Sequence, residues 1–258
     1  MMFGAEDLTQ DGFLGGRLCV MQPRHGYRAA MDPVLLAAAC AAVPGQSVLE
    51  LGCGAGVASL CLGARVAGLR LVGLELQPAY ADLARRNAAA NGIALEVLEG
   101  DLAHMPAALR GESFDHVIAN PPYFGAQSGT AATDPGRETA QREATPLAAW
   151  VRAGFRRLKP GGWLSMIQNA ERLADLLAAM AGPERPLGGS ISVLPIAARE
   201  GRAAGRVIVT ARKGGRGQLR LLAPFVLHAR MSHESDGEDL TEAAQAVLRS
   251  GENLPLSA

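Results

Sequence analysis

Short runs of leucine, valine and isoleucine alternate along the middle of the chain with alanine-rich stretches whose apolar positions recur at helical spacing. Ser47–Leu51, Arg70–Glu75, Ala94–Leu98, Phe114–Ala119 and Trp163–Ile167 read as strands. After the first, a glycine-rich turn leads into a helix running to about Ala67. A second helix opens at Pro78, places Tyr80, Leu83, Ala84, Asn87 and Ala88 at helical spacing, and stops at Asn91-Gly92. Leu147, Trp150, Val151, Phe155 and Leu158 form the apolar stripe of a third, which ends at Lys159-Pro160-Gly161-Gly162; Leu173, Leu176, Leu177 and Met180 mark a fourth. No helical pattern separates Ile191–Ile196 from Arg206–Ala211, so these predict an antiparallel closing pair. The expectation is an α/β fold: a seven-stranded, mostly parallel sheet with an antiparallel last strand and helices on both faces.

This core spans residues 44–213. Residues 1–43 precede it as a cap segment ending in an alanine-rich helix, Asp32–Val43. Residues 214–258 extend it with a possible strand at Gln218–Pro224 and a short helix at Leu240–Leu248, all within one globular unit. The polar, glycine-bearing stretch 124–146 is long for a strand-to-helix connection, which suggests a functional loop or partial disorder. At 258 residues, 48% hydrophobic, with 25 basic residues against 25 acidic, the chain is neither a disulfide-stapled module nor a disordered segment. No apolar run approaches the ~20 residues that span a bilayer, and the opening MMFGAEDLTQ lacks the pattern of a secretory signal. Cys19, Cys40, Cys53 and Cys61 form no CxxC pair and have no histidine at ligand spacing; they read as reduced, buried residues of a cytoplasmic protein without metal. Balanced charge does not advertise nucleic-acid binding. Locally, Arg199, Arg202, Arg206, Arg212, Lys213, Arg216 and Arg220 face only Glu200, a stretch that could follow a phosphate backbone or form a solvated hairpin.

The candidate chemistry gathers at strand ends. Val48–Gly56 reads VLELGCGAG: Glu50, then Gly52, Gly54 and Gly56 at alternate positions straight after a strand. Glycine is needed where the chain turns sharply and a ligand must approach the backbone. A dinucleotide fingerprint would put its third glycine where Val57 stands, which disfavours a pyridine-nucleotide cradle. Glu75-Leu76 ends the second strand, where α/β folds hold a ribose diol on a carboxylate. Asp101-Leu102 follows the third, where the acid could accept from an adenine amino group with the leucine against the ring. Acids after three successive strands fall on the edge at which open α/β sheets bind ligands. The fourth strand runs into Asn120-Pro121-Pro122-Tyr123, a corner that two prolines stiffen and whose carbonyls are presented outward.

The glycine turn, ExGxGxG, resembles the first motif of class I S-adenosylmethionine-dependent methyltransferases, whose fold is Rossmann-like. Asn-Pro-Pro-Tyr after the fourth strand resembles the catalytic motif of those acting on planar amino nitrogens: adenine N6, cytosine N4, guanine N2 or a glutamine amide. With these motifs, Gly12–Pro23 and Gly26–Ala39 resemble the bacterial tRNA adenine-N6 methyltransferases, which modify valine tRNA at the adenine 3′ of the anticodon. Relatives often carry TDG where this chain has Met31-Asp32-Pro33.

The resemblance implies S-adenosylmethionine as cofactor, held by Glu50, Gly52, Gly54, Gly56, Glu75, Leu76, Asp101, Leu102 and Asn120. Asp32, with nearby Gln22 or Arg28, would close over its methionine end; Asp32 reads equally as the cap of the Pro33-initiated helix. Catalysis would fall to Asn120, Pro121, Pro122 and Tyr123. An amino lone pair delocalised into a ring is a poor nucleophile. The Asn120 oxygen and the Pro121 carbonyl can bind both amino hydrogens, aim the lone pair at the methyl and stabilise the positive charge that develops. Tyr123 would stack on the target, Phe124 would clamp it or pack in the core, and Arg206 and Arg212 would contact the substrate. The expected function is methyl transfer to an adenine N6 in tRNA, beside the anticodon of valine tRNA, by a monomer or homodimer with no membrane or metal partner. The same corner would serve a glutamine amide in a release factor, or adenine in rRNA or DNA. A scaffold that binds S-adenosylmethionine or RNA without turnover is the non-enzymatic alternative.

Overall fold

The computed structural model describes residues 2–125, 142–143, 145–182, 187–230, 239–254 and 256. In chain order its elements are β1 (Leu8–Phe13), β2 (Leu18–Pro23), α1 (Asp32–Ala39), β3 (Ser47–Leu51), α2 (Val57–Arg65), β4 (Arg70–Glu75), α3 (Pro78–Ala90), β5 (Leu95–Glu99), α4 (Ala107–Arg110) and β6 (Phe114–Ala119). Then follow β7 (Phe124–Gly125), β8 (Arg142–Glu143), α5 (Leu147–Arg157), β9 (Leu158–Asn169), α6 (Leu173–Ala181), β10 (Gly188–Arg199), β11 (Ala204–Lys213), β12 (Arg220–Leu221), β13 (Phe225–His228) and α7 (Glu242–Leu248).

The main sheet runs β12-β10-β11-β9-β6-β3-β4-β5. Strands β5, β4, β3, β6 and β9 are parallel, and β11 lies antiparallel between β9 and β10, so the seven expected strands are present in the expected sense. The count is nine because β12 and β13 pair in parallel along the outer edge of β10. The possible strand at 218–224 contracts to Arg220–Leu221, while β13 was not expected at all. Short strands of this kind cover an edge that would otherwise offer unpaired backbone groups. The alanine-rich helix stops at Ala39 because Cys40 is already extended, and the strand expected at Trp163–Ile167 is the middle of the longer β9, which begins where α5 ends. Most of the stretch expected as a functional loop, residues 126–141 and 144, lies outside the described residues.

Alternate strand residues face two separate cores. Val48, Ile118, Ile167 and Ile208 pack with α1 and α2 on one face. Leu49, Val117, Met166 and Val209 pack with Trp150, Val151 and Phe155 of α5 and with Leu176 and Met180 of α6 on the other.

The N-terminal segment holds an unexpected element, the β1–β2 hairpin. It docks on α3 through two asparagines one turn apart. Asn87 Oδ1 accepts from the Met21 N–H at 2.8 Å while its Nδ2 donates to the Met21 carbonyl at 3.0 Å. Asn91 does the same for Cys19, at 2.9 and 2.8 Å. Four helical residues rise about 6 Å and two strand residues about 6.6 Å, so the side-chain amides keep step with the strand and stand in for a pairing neighbour.

Candidate active site

Strand register builds the site edge. Leu51, Leu74 and Leu98 lie in one row across β3, β4 and β5, and the row continues through Ala119 of β6 and Met166 of β9. The next residue along β3, β4 and β6 is Gly52, Glu75 and Asn120 respectively, at a common carboxyl-terminal edge. A cavity of about 900 Å³, counted out to its mouth, opens there, lined among others by Tyr27, Glu50, Gly54, Glu75, Leu76, Leu102, Asn120, Pro122 and Trp150.

All three alternate glycines have left-handed backbone, with φ of 66° at Gly52, 53° at Gly54 and 85° at Gly56, which explains glycine there before any ligand is considered. Gly52 also lacks room: a Cβ would sit 2.7 Å from the Trp150 ring. Glu75, buried at the end of β4, anchors the loop by accepting from the Gly54 N–H at 2.8 Å and from the Gln77 N–H at 2.9 Å. Burial raises its carboxyl above the usual range, partly countered by those backbone donors. Each carboxylate oxygen can accept more than one hydrogen bond, so capacity remains for a diol. Glu50 is turned to the helix that follows, accepting from the Ser59 N–H at 3.0 Å and its hydroxyl at 2.5 Å. Burial pushes it up to about 7 despite those bonds. Leu76, an exposed apolar residue, and Leu102 complete the wall.

At the Asn-Pro-Pro-Tyr corner, Asn120 Oδ1 is buried and has no hydrogen-bond partner among the described residues. The Trp150 indole N–H shares that condition. Both residues line the cavity, and each keeps one polar atom without a partner among the described residues. Tyr123 gives its hydroxyl to Asp32 Oδ2, which also accepts from Arg206 Nε at 3.2 Å, and the Arg206 guanidinium lies 4.5 Å from the centre of the Tyr123 ring. Burial first, then the Asp32 carboxylate, holds the Tyr123 hydroxyl well above the usual phenol range, so it stays protonated.

Several expected placements differ. The Asp101 carboxylate bonds the Ala103 N–H at 2.8 Å and His104 Nδ1 at 2.9 Å, capping a short helical turn; Gly100 and Leu102 line the cavity, and Asp101 is not among the lining residues. Asp32 is the first residue of α1 and binds Tyr123 and Arg206 rather than reaching over the cavity. Gln22 and Arg28 tie their own segment together, both bonding Asp11 Oδ2. Arg212 lies at the wrong end: β11 pairs Arg206 with Asn169 but Arg212 with Trp163, about 20 Å further along, and its Nε donates to the Gly161 carbonyl. The Phe124 side chain lies outside the described residues. Arg199 is not free for phosphate either, being paired with Asp239 at 3.0 Å.

Four residues at the site were not singled out for chemistry: Tyr27, Tyr80, Trp150 and Gln168. Tyr80 accepts from the Tyr27 N–H at 2.9 Å and donates to its carbonyl at 3.1 Å, fixing Tyr27 over the glycine loop. No periodicity marks Tyr27. Gln168 did carry a signal, a polar residue on the apolar parity of Leu164 and Met166.

Residues 48–133 match the family described as the methyltransferase domain. On this fold, that makes the protein an S-adenosylmethionine-dependent methyltransferase of class I. A tRNA1(Val) (adenine(37)-N6)-methyltransferase of Porphyromonas gingivalis is 32% identical over 178 residues, 66% of this chain and 69% of that protein. The chain belongs to that tRNA1(Val) adenine-N6-methyltransferase family. A release factor glutamine methyltransferase of Geobacter sulfurreducens is 31% identical over 153 residues, 56% of this chain and 51% of that protein. Among solved structures, a protein of Agrobacterium tumefaciens described as a predicted O-methyltransferase superposes with a TM-score of 0.69 at 28% identity, covering 87% of this chain and 98% of its own.

Proposed function

We propose that the protein methylates the exocyclic N6 of an adenine in tRNA, at the anticodon-flanking position after which its relatives are named. The observation that carries this reading is the buried, unpartnered Asn120 Oδ1 on the wall of the cavity that also contains the glycine loop.

Glu75 would take the ribose hydroxyls, Leu76 and Leu102 would enclose the adenine of the cofactor, and Trp150 would donate to one of its acceptors. When bound, S-adenosylmethionine supplies an electrophilic methyl group on sulfonium. The chain's own contribution is orientation. Asn120 Oδ1 and the Pro121 carbonyl accept the two hydrogens of the flat amino group, hold the nitrogen partly pyramidal and stabilise the positive charge as it grows. No strong base is needed, because the amino proton becomes acidic only after the methyl has transferred. Tyr123 is held by Asp32 with Arg206 over its ring; a target base stacking on that tyrosine would gain ~1–3 kcal/mol. An anticodon-loop base is already outside a duplex and avoids much of the few kcal/mol that flipping takes.

The test incubates the protein with S-adenosylmethionine and tRNA lacking its own modifications, then digests to nucleosides for mass spectrometry. N6-methyladenosine is expected. Methylglutamine in release factor with none in tRNA would overturn the substrate assignment.

A further inference from the structure

We propose that Gln168 is a positioning residue for methyl transfer, its side-chain amide locking the carbonyls of the Asn-Pro-Pro corner to β9; this rests on the reading of that corner as the acceptor of the target's amino group. Gln168 is the penultimate residue of β9 and is completely buried. Its Nε2 donates to the Pro122 carbonyl at 3.1 Å and to the Pro121 carbonyl at 3.4 Å, and its Oε1 accepts from the Asn169 N–H at 2.8 Å. A backbone N–H needs an acceptor and two carbonyls need a donor, so the network itself fixes which end of the amide is which.

The corner needs such a lock. The β6–β9 ladder ends at the Ala119–Met166 pair. Beyond it Pro121 and Pro122 have no N–H with which to continue. The Gln168 amide lies two residues past Met166, where the ladder stops, and gives the two proline carbonyls a donor from the neighbouring strand. A carbonyl oxygen has two lone pairs, so the bond from Gln168 orients the Pro121 oxygen and leaves it one lone pair for an incoming N–H. A shift of about 1 Å in a positioning group costs on the order of a hundredfold in rate.

Three variants of the full chain test this, with turnover, acceptor KM, S-adenosylmethionine affinity by titration calorimetry and melting temperature measured for each. Gln168→Leu keeps the volume and removes the donor; Gln168→Glu puts an acceptor against two carbonyls; Gln168→Asn keeps an amide one methylene short. We expect kcat to fall about 10–100-fold in Gln168→Leu and further in Gln168→Glu, with an intermediate loss in Gln168→Asn, while cofactor affinity stays within about twofold. If the buried charge of Gln168→Glu prevents folding, the other two variants decide. Turnover of Gln168→Leu at the wild-type level overturns the proposal, and so does a parallel loss of cofactor affinity and turnover, which a general packing role would give. If the wild type methylates a release-factor glutamine and not tRNA, the tRNA reading fails alone and the variants are compared on that amide. A wild type that methylates neither overturns both.

Discussion

Replacing Asn120 by alanine separates what this side chain contributes to the reaction from what it costs the fold. Its Oδ1 is buried with no partner among the described residues. An acceptor in that condition carries a desolvation penalty of about 1–3 kcal/mol. Alanine removes the oxygen and with it the penalty, while giving up the apolar contacts of one methylene-sized group, roughly 0.8 kcal/mol. The balance favours the variant by about 0–2 kcal/mol, and each kcal/mol shifts the melting temperature of a domain this size by about 2–4 °C. Turnover moves the other way. Deleting one member of a preorganised hydrogen-bonding pair costs about 10²–10³-fold in kcat. Thermal melts, titration with S-adenosylmethionine and single-turnover methylation of unmodified tRNA read the three quantities separately. A variant as stable as the parent or more so, with cofactor affinity kept and turnover lost, is the expected result. Full turnover, or a melting temperature lower by more than about 4 °C, would refute the reasoning.

Glu75→Ala removes the acceptor for the Gly54 and Gln77 N–H groups, and the expected cofactor affinity is about a hundredfold weaker by calorimetry; an unchanged affinity would contradict its role. Trp150→Phe deletes the unpartnered N–H together with the outer ring atoms packed beside Gly52, so cofactor binding should weaken about 5–20-fold and the melting temperature should fall; unchanged affinity would contradict its role. Glu50 gives a pH signature. Its folded-state carboxyl, pushed up to about 7 by burial, lies above the 4.5 it has when unfolded. The native state therefore binds the proton more tightly, and this residue's contribution is complete below pH 4.5 and is lost as pH rises to 7. Melts across that window should show Glu50→Gln gaining on the parent as pH rises; a variant that loses ground to the parent as pH rises would reverse the sign.

The sheet was legible because each central strand is a short apolar run closed by a glycine, proline or acid. Ser47–Leu51, Arg70–Glu75 and Phe114–Ala119 carry in the structure the bounds their residues predict. The glycine loop and the Asn120 corner were legible for a related reason: their constraints are local, positive φ in one and absent N–H groups in the other. What escaped depends on partners remote in sequence. Leu8–Phe13 is too polar to announce a strand, and its hairpin is held by Asn87 and Asn91, which read only as helix positions. Asp32 could not be assigned from its own neighbourhood because its partners, Tyr123 and Arg206, arrive from two other parts of the chain. Asp101, the third of a row of strand-end acids, also bonds a histidine three residues on, a partner its strand position does not predict.

The asparagine clasp on the hairpin is built from uncharged, strongly directional bonds. Ionic strength barely touches such contacts, whereas it loosens any grip on a polyanion. Raising salt should thus weaken the proposed hold on tRNA while the hairpin stays seated on Asn87 and Asn91.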